Sequence, residues 1–152
     1  MPEGISQRPA DQVQGKAPRR KILLVDGDSH DLQLYASVLR EQGHVVDSCA
    51  TFAEGAERLE CAWYDLIILN QEGGTFQGQP LLERAVELNR YRPVLVLARC
   101  VDMRSYIDAM YLGALDYMEK PLAACEIVRT VSNCLSHVVV LPKAPMEVAL
   151  PS

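Results

Sequence analysis

Three short apolar runs in this sequence, and a fourth mixed one, end on residues able to do chemistry. Ile22-Leu23-Leu24-Val25 leads into Asp26-Gly27-Asp28, Leu66-Ile67-Ile68-Leu69 into Asn70, Val94-Leu95-Val96-Leu97 into Ala98-Arg99, and Leu115 to Met118 into Lys120-Pro121. Where those ends meet, one or two carboxylates, an amide and a lysine share one polar site. A lysine there needs a counter-charge, because burying an unpaired ammonium is costly. Asp26 is its expected partner, with Glu72 second. Asp26 and Asp28 equally suit a helix start, where Asp caps free backbone N–H groups, and Asn70 suits a loop position satisfying nearby backbone. Cys49, Cys61, Cys100, Cys125 and Cys134 are spread singly, without the spacing of a zinc or redox site. They are expected as reduced, small apolar residues. His30, His44, His137 and Trp63 stand alone and receive no chemistry.

Fully apolar runs bounded by turn residues predict strands buried on both faces. Between them the period changes to that of a helix. Leu32, Tyr35, Val38 and Leu39 mark the first helix, closed by Gln42-Gly43, and Val45-Val46 begins a second strand. Thr51 and Glu54 have capping-box spacing and open a helix carrying Ala53, Ala56 and Leu59. A Gly- and Gln-rich loop runs from Asn70 to Gln79. Leu81, Leu82, Ala85 and Val86 mark the third helix. Met103, Tyr106, Ile107 and Met110 mark the fourth, which Gly113 stops, and Ile127, Val128, Val131 and Leu135 mark the fifth. Five strands alternating with five helices imply an α/β fold, a parallel sheet covered on both faces with right-handed crossovers. In such open sheets function gathers at the carboxyl ends of the strands, where the residues named above fall. The expected organisation is a flexible arm over 1–20, one domain over 21–136, and a tail or linker over 137–152, in which Val138-Val139-Val140 has the texture of an added edge strand.

A length of 152 residues allows one domain with a real core. The balance of 49% hydrophobic and 23% charged residues excludes wholesale disorder. A net charge of −5 argues against a nucleic-acid backbone as the main partner. No apolar run approaches the ~20 residues of a membrane span, and the first twenty residues lack the apolar stretch of a secretory signal. A cytoplasmic protein with no membrane contact is expected.

The succession VDGDS, DLIILN, a glycine at Gly78, PVLVLAR and GALDYMEKP resembles the receiver domain of two-component response regulators, over about residues 20–136. The last block carries most of the specificity, with Gly113, Ala114, Asp116, Tyr117, Lys120 and Pro121 in place. The resemblance implies a doubly wound (βα)5 flavodoxin-like three-layer sandwich with a parallel five-stranded sheet of order 2-1-3-4-5. In that family an aspartate ending strand three accepts a phosphoryl group from a histidine kinase. Two acids after strand one hold Mg²⁺, a Thr or Ser ending strand four binds phosphoryl oxygens, and a Lys after strand five completes the site. It also implies a cis peptide before Pro121, a switch aromatic at Tyr117, and pocket-bordering positions at Glu72 and Arg99.

The departures decide what to expect. The acceptor position is Asn70, whose amide cannot form the acyl phosphate that a carboxylate makes. The second acid is Gly27, with Asp28 one place further on. The strand-four hydroxyl is Ala98. Gly73-Gly74 stands where Met-Pro precedes the loop glycine. A lone Asp26 with amide oxygens would hold Mg²⁺ poorly. The reading is a degenerate phosphorylation site, in a non-enzymatic pseudo-receiver that needs no cofactor or metal. It signals by protein–protein contact with a histidine kinase or downstream effector, through the fourth helix, fifth strand and fifth helix. Homodimer formation stays open. No nucleic-acid-binding or enzymatic output module fits in the 16 residues after position 136. Tyr117 is expected inward, in the space left by Ala98, unless Arg99 or Met110 fills it. Two other readings stand beside this one. The first is a phosphorelay receiver using Asp28 or Glu72 as acceptor; the second is a small-ligand or nucleotide module, although neither a P-loop nor a G-x-G-x-x-G run is present.

Overall fold

The apolar runs form a five-stranded parallel sheet, and the helical periods cover both of its faces. The computed structural model describes residues 19–72 and 77–140. In chain order the elements are β1 (Lys21–Val25), α1 (Ser29–Glu41), β2 (Val45–Cys49), α2 (Phe52–Cys61), β3 (Leu66–Gln71), α3 (Gln79–Leu88), β4 (Val94–Ala98), α4 (Met103–Leu112), β5 (Asp116–Glu119) and α5 (Ala124–Val140). The sheet order is β2-β1-β3-β4-β5, all pairs parallel. Alternate residues of each strand serve opposite cores. Ile22, Leu24, Leu66, Ile68, Leu95 and Leu97 pack with Tyr35 and Leu39 of α1 and with Ile127, Val131 and Leu135 of α5. Leu23, Val25, Ile67, Leu69, Val94 and Val96 pack with Leu59 of α2, Leu82 of α3 and Ala109 of α4.

Caps fix where the helices begin and end. Asp28 caps α1 by accepting from the N–H groups of His30 and Asp31 at 2.9 and 3.1 Å. Thr51 caps α2 through the Glu54 N–H at 3.1 Å, and Glu54 reaches back to the Ala50 N–H at 3.0 Å. Gly113 ends α4 in the left-handed region at φ 113°, which favours glycine. Gly55 lets α2 lie close on the sheet: a Cβ there would stand 2.8 Å from Val25 Cγ2 and 3.1 Å from Leu81 Cδ2.

Some expectations are corrected. Met103, Tyr106, Ile107 and Met110 mark the fourth helix, which forms over Met103–Leu112, but they do not define its buried face. Instead Ser105 and Ala109 face the sheet, while Met103 and Ile107 are 67% and 53% exposed. Small residues let α4 sit near β4 and β5, with Met110 and Leu112 packed beside them and Met103, Ile107 and Tyr111 turned outward. On α1 the buried face is Asp31, Tyr35, Ala36 and Leu39, with Leu32 and Val38 only partly covered. β3 continues through Gln71, so Asn70 belongs to the strand and not to the loop. Helix α5 runs through Val140, so the expected tail begins as helix and Val138-Val139-Val140 add no strand. Cys49 and Cys134 are buried as expected, but Cys61, Cys100 and Cys125 are exposed, and all five are free. The arm before residue 19, Gly73-Gly74 and the tail beyond 140 lie outside the described residues.

Candidate functional site

Parallel strands deliver their carboxyl ends to one edge, and there Asp26 and Lys120 meet. The Asp26 N–H donates to the Cys49 carbonyl at 3.0 Å, which fixes the backbone just past β1. The Lys120 N–H donates to the Ala98 carbonyl at 2.7 Å, which does the same just past β5. Between them the Lys120 Nζ donates to Asp26 Oδ2 at 2.8 Å, and both side chains are fully buried. A second carboxylate completes the arrangement: Lys120 Nζ donates to Asp31 Oδ2, also at 2.8 Å. The Tyr35 ring lies 5.9 Å from the ammonium on another side. The peptide Lys120-Pro121 is cis.

Asp31 stands in the first turn of α1, above the Asp28 cap. Arg99, just past β4, donates through Nη2 to Asp31 Oδ2 at 2.5 Å and to Asp28 Oδ2 at 3.2 Å. Three carboxylates and two cations thus form one closed network. Burial opposes the Lys120 charge, but the hydrogen bonds to Asp26 and Asp31 outweigh it and hold its pKa above the ordinary lysine value. Burial pushes the Asp26 carboxyl up, against the pull of Lys120 and the Asp28 N–H. The Asp28 carboxyl is lowered, first by the backbone N–H of Asp31.

Asn70 takes no part in that network. It is 4% exposed in β3, opposite Leu97, and its Nδ2 donates to Glu72 Oε2 at 3.2 Å. Its Oδ1 is buried without a hydrogen-bond partner. An orphaned acceptor of that kind costs about 1–3 kcal/mol. Glu72 therefore serves Asn70 and not Lys120, which corrects its place as second counter-ion.

Tyr117 is buried, at 8% exposure, in the same core as Ala98. Its hydroxyl donates to Gln71 Oε1 at 2.9 Å, and its ring meets Tyr106 edge-on at a centroid distance of 5.4 Å. Tyr117 stands on β5 and Gln71 on β3, so the hydrogen bond spans β4. In the register Gln71 is paired with Ala98, and Val96 with Tyr117. The phenol therefore crosses β4 over its last residues, where alanine leaves room. Burial raises the Tyr117 pKa, keeping the hydroxyl protonated as a donor.

Asp26 and Lys120 are thus brought together, while Asp28 is a cap that also pairs with Arg99. Gly27 and Asn70 line a separate pocket. Sequence reasoning missed Asp31 and Gln71. The signal for Asp31 was an acid four residues before Tyr35, on the stripe that α1 buries. Gln71 carried no such signal, because its role depends on a partner two strands away.

The resemblance implies Mg²⁺ at this edge, and the donor set here does not fit it. Asp26 is committed to Lys120, Gly27 offers no side chain, and Asn70 presents an amide. Mg²⁺ favours octahedral oxygen ligation with carboxylates. Among the described residues no three His, Cys, Asp or Glu side chains cluster as metal ligands.

A parallel sheet of order 2-1-3-4-5, with an acid after its first strand and a lysine after its last, defines a receiver-type α/β domain. The chain belongs to the response regulator receiver domain family, whose pattern matches residues 22–132. It is 27% identical over 111 residues to the transcriptional regulatory protein CutR of Streptomyces coelicolor, covering 73% of this chain and 51% of that protein. It is 27% identical over 116 residues to the transcriptional regulatory protein ZraR of Escherichia coli K12, covering 76% of this chain and 26% of that one. The chain thus spans between a quarter and half of these relatives. A receiver domain from Methanospirillum hungatei superposes with a TM-score of 0.75 at 22% identity, over 80% of this chain and 98% of that one. A two-component response regulator from Clostridium difficile gives 0.71 at 25% identity, over 78% and 97%. Among the described residues no helix is long and apolar enough to cross a membrane.

Proposed function

We propose that this chain is a signalling module that works by protein–protein contact in the cytoplasm, independently of aspartyl phosphorylation. The observation that carries the reading is the fate of Lys120. In a working receiver a lysine here faces the acceptor carboxylate; here the acceptor position is Asn70, and Lys120 is neutralised by Asp26 and Asp31. Alternative acceptors are also occupied. Asp28 caps α1 and pairs with Arg99, and Glu72 accepts from Asn70.

The surface for contact is α4 with its neighbours β5 and α5. Met103, Ile107 and Tyr111 recur every fourth residue on the outer face of α4, so they form one stripe, and Tyr111 is 87% exposed. An aligned apolar stripe marks an interaction site better than scattered apolar residues do. A histidine kinase or a downstream effector protein is the partner class. The inward Tyr117 holds this face in one arrangement whatever the upstream signal.

Incubation with acetyl phosphate and Mg²⁺, followed by intact-mass measurement, tests the reading. The mass should not change. A stoichiometric gain of one phosphoryl group, abolished by Asp28→Ala or Glu72→Ala, overturns it. Capture of partners from the native cell should fall at least tenfold with Ile107→Glu, and undiminished capture would move the binding surface elsewhere.

A further inference from the structure

The amino ends of the strands, opposite the edge that holds Asp26 and Lys120, gather unpaired positive charge. Arg19, Arg20 and Lys21 lead into β1, and Arg90 and Arg92 lead into β4. β3 lies between these two strands, and Trp63, Tyr64 and Asp65 lead into it. With neighbouring strands about 4.8 Å apart, the two basic groups stand roughly 10 Å from each other, with the start of β3 between them. We propose that this end of the sheet is a docking site for a short acidic segment of a partner protein, separate from the α4 face.

First, the cations are uncompensated. None of the five forms an ion pair with a described residue, whereas Arg58, Arg84, Arg99 and Lys120 all do. Asp65 is committed locally: its Oδ2 accepts from the Lys21 N–H at 2.9 Å and its Oδ1 from the Trp63 Nε1–H at 3.4 Å. Second, Trp63 is 60% exposed, and its ring is held from beneath. The Arg92 guanidinium lies 5.6 Å from the ring centroid, and its Nη2 donates to the Ala85 carbonyl of α3 at 2.9 Å. The indole is thus set beside the last turn of α3, where Leu88 is also exposed. A side chain already held loses little freedom on binding. Third, Arg92 is buried, with no acid to offset the burial that pulls its pKa down. Its charge acts at the surface through the low-dielectric interior and not through a contact of its own.

The neighbours decide the class of anion. Glu60 in the last turn of α2, Glu87 in the last turn of α3 and Asp116 at the start of β5 stand at the same end of the sheet. A nucleic-acid strand or an anionic membrane continues past the cations and runs onto these acids, in a chain of net charge −5. A segment of a few acidic residues, with an apolar one for the exposed indole, stays between them. Trp and Arg are also the residue types that dominate the energetics of protein–protein contacts.

Trp63 is the single tryptophan of the chain, so its emission reports on this end alone. The full chain is titrated with a hexapeptide of glutamate and leucine, read by Trp63 emission and, with a fluorescein label, by anisotropy. Emission should move to shorter wavelength and saturate in the micromolar range, and added salt should weaken the binding. Arg19→Glu combined with Arg90→Glu, both at exposed positions, should weaken binding at least tenfold, and Trp63→Ala at least threefold by anisotropy. Melting temperatures serve as the check that these variants fold. Ile107→Glu should leave the affinity unchanged, and an equal loss there would merge this site with the α4 face and overturn the proposal. It is overturned as well by the absence of a saturable change, by a lysine–leucine peptide binding equally, or by unchanged affinity in the folded double arginine variant. Tighter binding of a thymidine oligonucleotide or of phosphatidylserine vesicles would also overturn it, by assigning the surface to a polyanion.

Discussion

Lys120 and Asp31 lie 89 positions apart in the chain, yet the ammonium of one donates to the carboxylate of the other at 2.8 Å, with both side chains buried. The contact ties the first turn of α1 to the end of β5. Asp26 shares the same ammonium, so neither acid alone carries the pair.

Removing either end of that contact leaves charge without compensation in the interior. Lys120→Met should cost about 3–5 kcal/mol, because it strands two acids. Asp31→Asn should cost less, since Asp26 remains as a counter-ion. Combined, the two changes should fall short of the sum of the singles by at least about 1 kcal/mol. Urea denaturation of the four proteins measures the coupling, and strict additivity would separate Lys120 from Asp31.

Restoring the lost ligands tests what the site lacks. Gly27 has an unstrained φ and room for a Cβ, so an acid fits there sterically. The double variant Gly27→Asp with Asn70→Asp should gain a saturable stabilisation by Mg²⁺ and take one phosphoryl group from acetyl phosphate. The unaltered chain should show neither. Thermal melts with and without Mg²⁺, alongside intact mass, read both outcomes.

The path of Tyr117 over β4 makes Ala98 a size-limited position. Ala98→Leu should destabilise by about 1–3 kcal/mol through overpacking. In a Tyr117→Ala background the same change should cost much less. Tyr117→Phe, which removes only the hydrogen bond to Gln71, should cost about 1 kcal/mol. Equal costs of Ala98→Leu in both backgrounds would place the ring elsewhere.

A pH response follows from His44. Its Nδ1 accepts from the Arg20 N–H at 3.2 Å, and burial lowers its pKa below the usual 6.5. Between the two values the unfolded chain binds more protons than the folded one, so stability rises with pH there. The contribution is complete above 6.5 and is lost as pH falls through the folded value. Melting temperatures of the natural chain should drop as pH falls below 6.5, the usual imidazole value. His44→Gln, which keeps an acceptor without a titrating ring, should flatten that slope.

β1, β3 and β4 were legible because strands buried on both faces carry long apolar runs, although β3 and β4 continue past Leu69 and Leu97 to Gln71 and Ala98, and the edge strands β2 and β5 carry Asp47 and Asp116. Asp26 and Lys120 were legible as a pair, since each follows a strand and an interior ammonium requires an acid. Asp31 was hidden by its own helix. Its neighbours Leu32 and Val38 suggested an apolar face rotated from the one actually buried, so the acid looked solvated. Met103 and Ile107 misled in the opposite sense: their spacing is helical, but period alone does not say which side of a helix meets the sheet. Ser105 and Ala109 decided that, and small residues carry little weight in a hydrophobic pattern.

Gly55 gives the pocket its dimensions from a distance. With no side chain between α2 and Val25, the helix rests almost directly on β1, and Thr51 and Phe52, one turn upstream, are carried to a fixed height above Gly27. The width of the opening is thus set by contact with the backbone of α2, not by a side chain that can change rotamer. Gly55→Ala would lift the helix and alter the shape of a site it does not touch. The shape of this pocket is therefore tuned by a residue that does not line it.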